Sequence, residues 1–155
     1  MDSTKIDDLD RSILRELQAN GRISVQELSQ RVGLSPSPCA RRIRQLEETG
    51  IIAGYHALID EVEAGFAFSV FVSVKLDRQV DDTLKVFENA IRTYPEVVDC
   101  WLMTGNRDYL LRVAVRDIGE FETFLTGRLT KLPVVASIES SIPLRRVKSG
   151  ISRSR

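Results

Sequence analysis

Histidine and cysteine are almost missing from this chain, which holds one of the first and two of the second. Cys39 and Cys100 lie far apart, each in an apolar pattern, so they form neither a disulfide framework nor a metal site. Two such thiols suit a reducing cytoplasm. The lone His56 has no motif partner. There is no HExxH, no glycine-rich phosphate loop, no CxxC and no spaced nucleophile–base pair. An enzyme is therefore not expected, nor a metal or a cofactor. No run approaches the roughly 18 apolar residues of a membrane span. The opening MDSTKIDDLD is acidic and polar, which argues against a secretory signal.

An excess of charge is missing too, since the formal net charge is zero. The distribution is uneven, however. Residues 1–59 hold eight basic and eight acidic side chains, residues 60–143 nine against fourteen, and residues 144–155 five basic and none acidic. From Leu28 to Leu46 there are four arginines and no carboxylate. A hydrophobic share of 43% over 155 residues is enough for one ordinary domain or two small ones.

Three helices are expected in the first part. Asp7 to Ala19 places Leu9, Ile13, Leu14 and Leu17 at helical spacing, with acids at its start, and Asn20-Gly21 stops it. Ser24 is placed to cap a second helix, with Glu27 completing a capping box. That helix should bury Val25, Leu28 and Val32 and end at Gly33. The third starts at Ser35-Pro36 or at Ser37-Pro38, two equivalent cap-and-proline pairs. It buries Cys39, Ile43 and Leu46, with Ala40 permitting close packing. Arg41, Arg42, Arg44 and Gln45 are then expected outward, Arg44 with the option of pairing to Glu47 or Glu48.

Two short helices separated by a glycine turn, the second rich in arginine, form the layout that places one helix in a DNA major groove. Helix N-termini and serine hydroxyls suit phosphate. The expected DNA-facing set is Ser24, Ser35, Pro36, Ser37, Pro38, Arg41, Arg42, Arg44 and Gln45. Residues 51–59 suggest a short β ribbon or wing, and residues 60–65 an acidic connection. Three divisions follow: 1–59, 60–148 and a basic flexible tail, 149–155.

The second part alternates strands and helices. Residues 67–76 form a strand, 81–93 a helix, 97–104 and 109–115 strands around the turn 105–108, 118–132 a helix and 135–144 a strand. The order βαββαβ specifies an α+β, ferredoxin-like sandwich with both helices on one face of an antiparallel sheet. Trp101, Met103 and Leu110 or Leu111 then leave apolar surface on the other face, which suits a second copy.

GRIS…ELSQRVGLSPSPC…RRIRQLEETGII, MTGNRDYLLRV and LTKLPVV closely resemble the Lrp/AsnC family of feast/famine transcription regulators, over residues 6–148. The resemblance implies a winged helix-turn-helix hinged to a ligand-sensing domain. It also implies homodimers that can assemble four to a ring, double-stranded DNA as partner, and a small effector, usually an amino acid. The effector is expected near Thr104, Gly105, Asn106, Arg107, Asp108 and Tyr109, with Leu102, Ile118, Thr130, Ser141 and Ile142 as walls. Asp108 is the expected acceptor for an α-ammonium group. The resemblance often carries a second acid where this chain has Asn106, and Arg107 is an added cation that would favour an effector with an extra anionic or carbonyl group. The alternative function is an architectural DNA-compacting protein without an effector.

Overall fold

The computed structural model describes residues 6–148. The chain divides into two compact units, one running to Leu58 and the other from Ile59 to Val147. The basic tail lies outside the described residues.

The first unit is built from α1 (Asp8–Ala19), α2 (Val25–Arg31) and α3 (Pro36–Glu48). Ile13, Leu28, Cys39 and Leu46 are buried together, one or two from each helix, with Leu14, Leu17, Val32 and Ile43 packed around them. Burying each such aliphatic side chain contributes about 1.5–3 kcal/mol. That favours only the arrangement in which all three stripes converge. Val25 departs from expectation: it is 38% exposed, because at the first position of α2 it lies before the stripe reaches the core. The chain from Ala53 to Asp60 forms no strand, so the expected ribbon does not form within this one copy.

Helix starts are chemically specific. Asp7 caps α1 and exchanges hydrogen bonds with Asp10 in a full capping box, where only a dipole effect was foreseen. Ser24 caps α2 through the Glu27 N–H at 3.1 Å. The reciprocal half of that box is absent, because the Glu27 carboxylate accepts from Arg31 at 2.7 Å instead. Of the two equivalent starts of α3, the chain uses Ser35-Pro36, and the Ser35 hydroxyl makes no capping hydrogen bond.

The second unit contains β1 (Phe68–Leu76), α4 (Asp81–Ile91), β2 (Val97–Leu102), β3 (Tyr109–Val115), α5 (Ile118–Gly127), a 3₁₀ turn (Leu129–Lys131) and β4 (Val135–Ser141). The sheet order is β2-β3-β1-β4 and every pairing is antiparallel. β1 alternates strictly, sending Val70, Val72, Val74 and Leu76 into the core and Phe71, Ser73 and Lys75 to the other face. The core side also takes Leu111, Val113 and Val115 from β3, Phe87 and Ile91 from α4, and Phe121 and Phe124 from α5. Both helices thus cover one face. The open choice in α4 resolves to Phe87, fully buried, with Val86 48% exposed. β4 stops at Ser141, short of the expected Leu144, which is fully exposed.

Candidate functional site

Two surfaces collect the residues singled out by sequence. On the first unit, Arg41, Arg44 and Gln45 project from α3 to solvent. Neither guanidinium has a partner among the described residues, and Arg44 pairs with neither Glu47 nor Glu48. Glu47 accepts instead from the Tyr55 hydroxyl at 2.9 Å. Ser35, Pro36 and Ser37 are exposed at the start of the same helix, and Pro38 is half-buried. Because the Ser35 hydroxyl caps nothing, it is available to an outside acceptor or donor. Ser24 spends its hydroxyl on the α2 cap.

Arg42 does not point outward. Its Nη1 donates to Asp7 Oδ2 at 2.7 Å and to Asp10 Oδ1 at 2.8 Å. Three positions after Cys39, it borders the buried stripe and faces the start of α1. Its hydrogen bonds to Asp10 and then to Asp7 hold it firmly charged, raising its pKa. Arg31 is likewise engaged, with Glu16 at 2.9 Å and Glu27 at 2.7 Å. Arg22 was missed by the sequence reading. It is exposed in the turn before α2, and no side-chain partner is found for it among the described residues. Its position inside GRIS was the available signal.

The second surface is the turn between β2 and β3. Met103 N–H donates to the Asp108 carbonyl at 2.8 Å, which closes the hairpin. Thr104, Gly105 and Asn106 form an exposed tip. Gly105 has φ +108°, a conformation in the range that favours glycine, with open space where a Cβ would stand. Asp108 is 2% exposed. Its Oδ2 accepts from the Leu76 N–H at 2.7 Å and its Oδ1 from the Gln79 amide. A buried carboxylate needs such donors, and here both oxygens are used inside the fold. Asp108 therefore fastens the turn to the β1–α4 connection, and an outside ammonium would share oxygens already engaged there. Tyr109 is buried against Phe87, ring centroids 4.5 Å apart, and its hydroxyl donates to Glu88 at 2.8 Å. Burial first, then that carboxylate, push its phenol far up.

Arg107 also departs from expectation. It reaches across β1 to donate to Ser137 Oγ at 2.9 Å and Glu139 Oε2 at 2.6 Å. The added cation is thus matched by an acid on β4.

Within one copy the expected effector residues do not converge. Leu102 pairs with Tyr109 and stays beside the turn. Ser141 pairs with Phe71, whereas Tyr109 pairs with Val74, three residues along β1. Ile118 follows the end of β3, where Val115 pairs with Phe68. Six residues of strand separate that end from the turn, roughly 20 Å. Thr130 lies in the 3₁₀ turn, its hydroxyl donating to the Thr126 carbonyl at 3.2 Å. A separate cleft of about 280 Å³ is lined by Glu96, Arg116, Glu120 and Arg128, whose charges are already matched as Arg116–Glu120 and Arg128–Glu96 pairs.

On the uncovered face, Trp101 is 45% exposed beside Leu110, its cross-strand partner. Arg112 sits on this face between Asp99, at 3.1 Å, and both oxygens of Glu61, at 2.9 Å. Among the described residues no helix is long and apolar enough to cross a membrane.

A helix-turn-helix with unpaired arginines, joined to a βαββαβ unit with one face uncovered, defines a DNA-binding protein with an attached regulatory domain. Residues 6–53 match a winged helix-turn-helix DNA-binding model, and residues 69–152 match the Lrp/AsnC ligand-binding domain. The Bkd operon transcriptional regulator of Pseudomonas aeruginosa is 47% identical over 143 residues, 92% of this chain and 94% of that protein. The leucine-responsive regulatory protein of Escherichia coli is 41% identical over 143 residues, 92% of this chain and 87% of its own length. Among solved structures, a transcriptional regulator of Neisseria meningitidis in complex with L-methionine superposes with a TM-score of 0.92 at 38% identity, covering 96% of both chains. The chain belongs to the Lrp/AsnC family of DNA-binding transcriptional regulators.

Proposed function

We propose that this regulator reads duplex DNA with α3 and answers to an amino acid or related metabolite bound beside the turn 104–107. It carries no enzymatic activity and works in the cytoplasm as a homodimer or a tetramer of dimers. The observation that carries the DNA contact is the pair Arg41 and Arg44, exposed and unmatched next to a serine hydroxyl left free by its own helix. Arg22 extends the same set. The amino-acid effector is supported by the turn's exposed backbone at Gly105 and by the L-methionine complex of the Neisseria meningitidis relative. The spread of Leu102, Ser141 and Ile118 along roughly 20 Å of sheet supports a site completed by a second copy. The uncovered face with Trp101 supports that copy's docking.

The test is a salt titration of duplex binding. Two copies, each presenting Arg22, Arg41 and Arg44, neutralise about six phosphates, so log K should fall with log salt at a slope of about −5. A slope near zero refutes the surface. In a two-fold dimer the two α3 helices should lie about 34 Å apart and protect DNA with a helical repeat. A thermal-shift screen of the standard amino acids and their breakdown products tests the effector, because a ligand that binds the native state raises the melting point by mass action. No shift and no change in DNA affinity with any of them would favour an architectural DNA-compacting role.

A further inference from the structure

We infer that the acidic start of α1 is part of the DNA-reading apparatus: Arg42 is a positioning residue that locks α3 to the Asp7–Asp10 capping box and contacts no phosphate. This rests on the proposal that α3 faces DNA.

The geometry is closed on itself. Asp7 Oδ1 accepts from the Asp10 N–H at 2.8 Å, and Asp10 Oδ2 accepts from the Asp7 N–H at 3.2 Å. The two remaining oxygens, Asp7 Oδ2 and Asp10 Oδ1, both take a hydrogen bond from Arg42 Nη1. All four carboxylate oxygens are used, and one guanidinium nitrogen spends both its protons on them. A capping box ordinarily serves only its own helix. Here its outer edge is the docking point for a second helix, contributed from 32 and 35 residues away. The Arg42 side chain is 26% exposed and Asp10 15%, so the join is partly shielded from water. Charge-assisted hydrogen bonds of this kind fix direction as well as distance. Moving α3 relative to α1 would break two of them at once. Arg41 and Arg44, the neighbours with no partner, are thereby held at a set angle on the outer face.

Electrostatics alone gives the opposite expectation. Two aspartates beside a DNA-binding helix repel phosphate, so removing one should tighten binding. A positioning role gives the reverse sign, which makes the experiment decisive. Duplex binding by the full chain is measured across a salt series, well below each variant's melting temperature, for wild type, R41Q, R42Q, R42K, D10N and the D10N/R42Q double variant. R41Q should make the salt slope shallower by about 1.8, the share of one contact in each of two copies. R42Q should leave the slope unchanged and weaken affinity roughly ten- to a hundredfold, the scale of one charge-assisted hydrogen bond. R42K, which keeps the charge and can hold one carboxylate, should recover part of that loss. D10N should weaken binding, and the double variant should be no worse than R42Q, since both changes break one join.

A shallower slope for R42Q, matching R41Q, would make Arg42 a phosphate contact and overturn the inference. So would tighter binding by D10N, additive losses in the double variant, or wild-type affinity for R42Q. If R42Q does not fold, D10N and R42K carry the same comparison, because D10N leaves the Asp7 cap of α1 in place. Absence of salt-dependent binding by wild type removes the DNA-reading surface and this inference together. Normal wild-type and R41Q behaviour with a failed R42Q prediction removes the inference alone.

Discussion

At the scale of single residues, buried acceptors decide more than exposed charges. Asp108→Ala strands the buried Leu76 N–H, while the exposed Gln79 amide turns to water, at an expected cost of about 1–3 kcal/mol. Urea denaturation measures it, and a variant as stable as wild type would contradict the role assigned to Asp108. Tyr55 predicts an alkaline transition. Burial first, and then its hydrogen bond to Glu47, push its phenol up to about 12 from an ordinary 10.0. A raised value means that the neutral form is the one the fold favours. The stability it contributes is therefore complete below pH 10 and is lost as pH rises through about 12. Tyrosinate absorbance should follow loss of helical signal, and Tyr55→Phe should remove that part of the transition. Asp7 works on the acid side: the Asp10 N–H chiefly, and then Arg42, lower its pKa below the ordinary 3.8. Its contribution stands above that value and fades as pH falls below it, so Asp7→Asn should flatten the acid limb of an unfolding curve.

At the scale of elements, two serines that look alike in sequence separate. Ser24→Ala should cost about 1 kcal/mol, because its hydroxyl caps α2, whereas Ser35→Ala should cost at most a few tenths and weaken DNA binding instead. Thermal melts and DNA titrations of the two variants check this, and equal losses of stability would refute it. Much of the element plan was legible. Strict alternation in β1 and the stripes through Ile13, Leu28 and Cys39 follow directly from burial on one face, as does the order βαββαβ. What escaped was set by partners distant in sequence. Arg42 looked like its neighbours until α1 arrived beside it. Asp108 looked like a ligand acceptor until Leu76 and Gln79 closed over it. Arg107 looked like spare charge until Glu139 crossed β1. Composition cannot show such pairings, because each joins segments about 30 residues apart.

At the scale of the whole molecule, the uncovered sheet face is the feature to test. Trp101→Glu should shift the proposed dimer toward single copies in sedimentation velocity, with helical content retained. Unchanged sedimentation would move the contact elsewhere. The second unit also has a frame and a tip with separate duties. Asp108 bolts the hairpin to the sheet, while Thr104, Gly105 and Asn106 stand in open solvent beyond it. The tip can accordingly be exchanged as a graft, with glycine kept at its bend, and the scaffold beneath should not register the swap. Retuning the proposed sensor would then begin with Thr104 and Asn106, two exposed positions on either side of a fixed glycine.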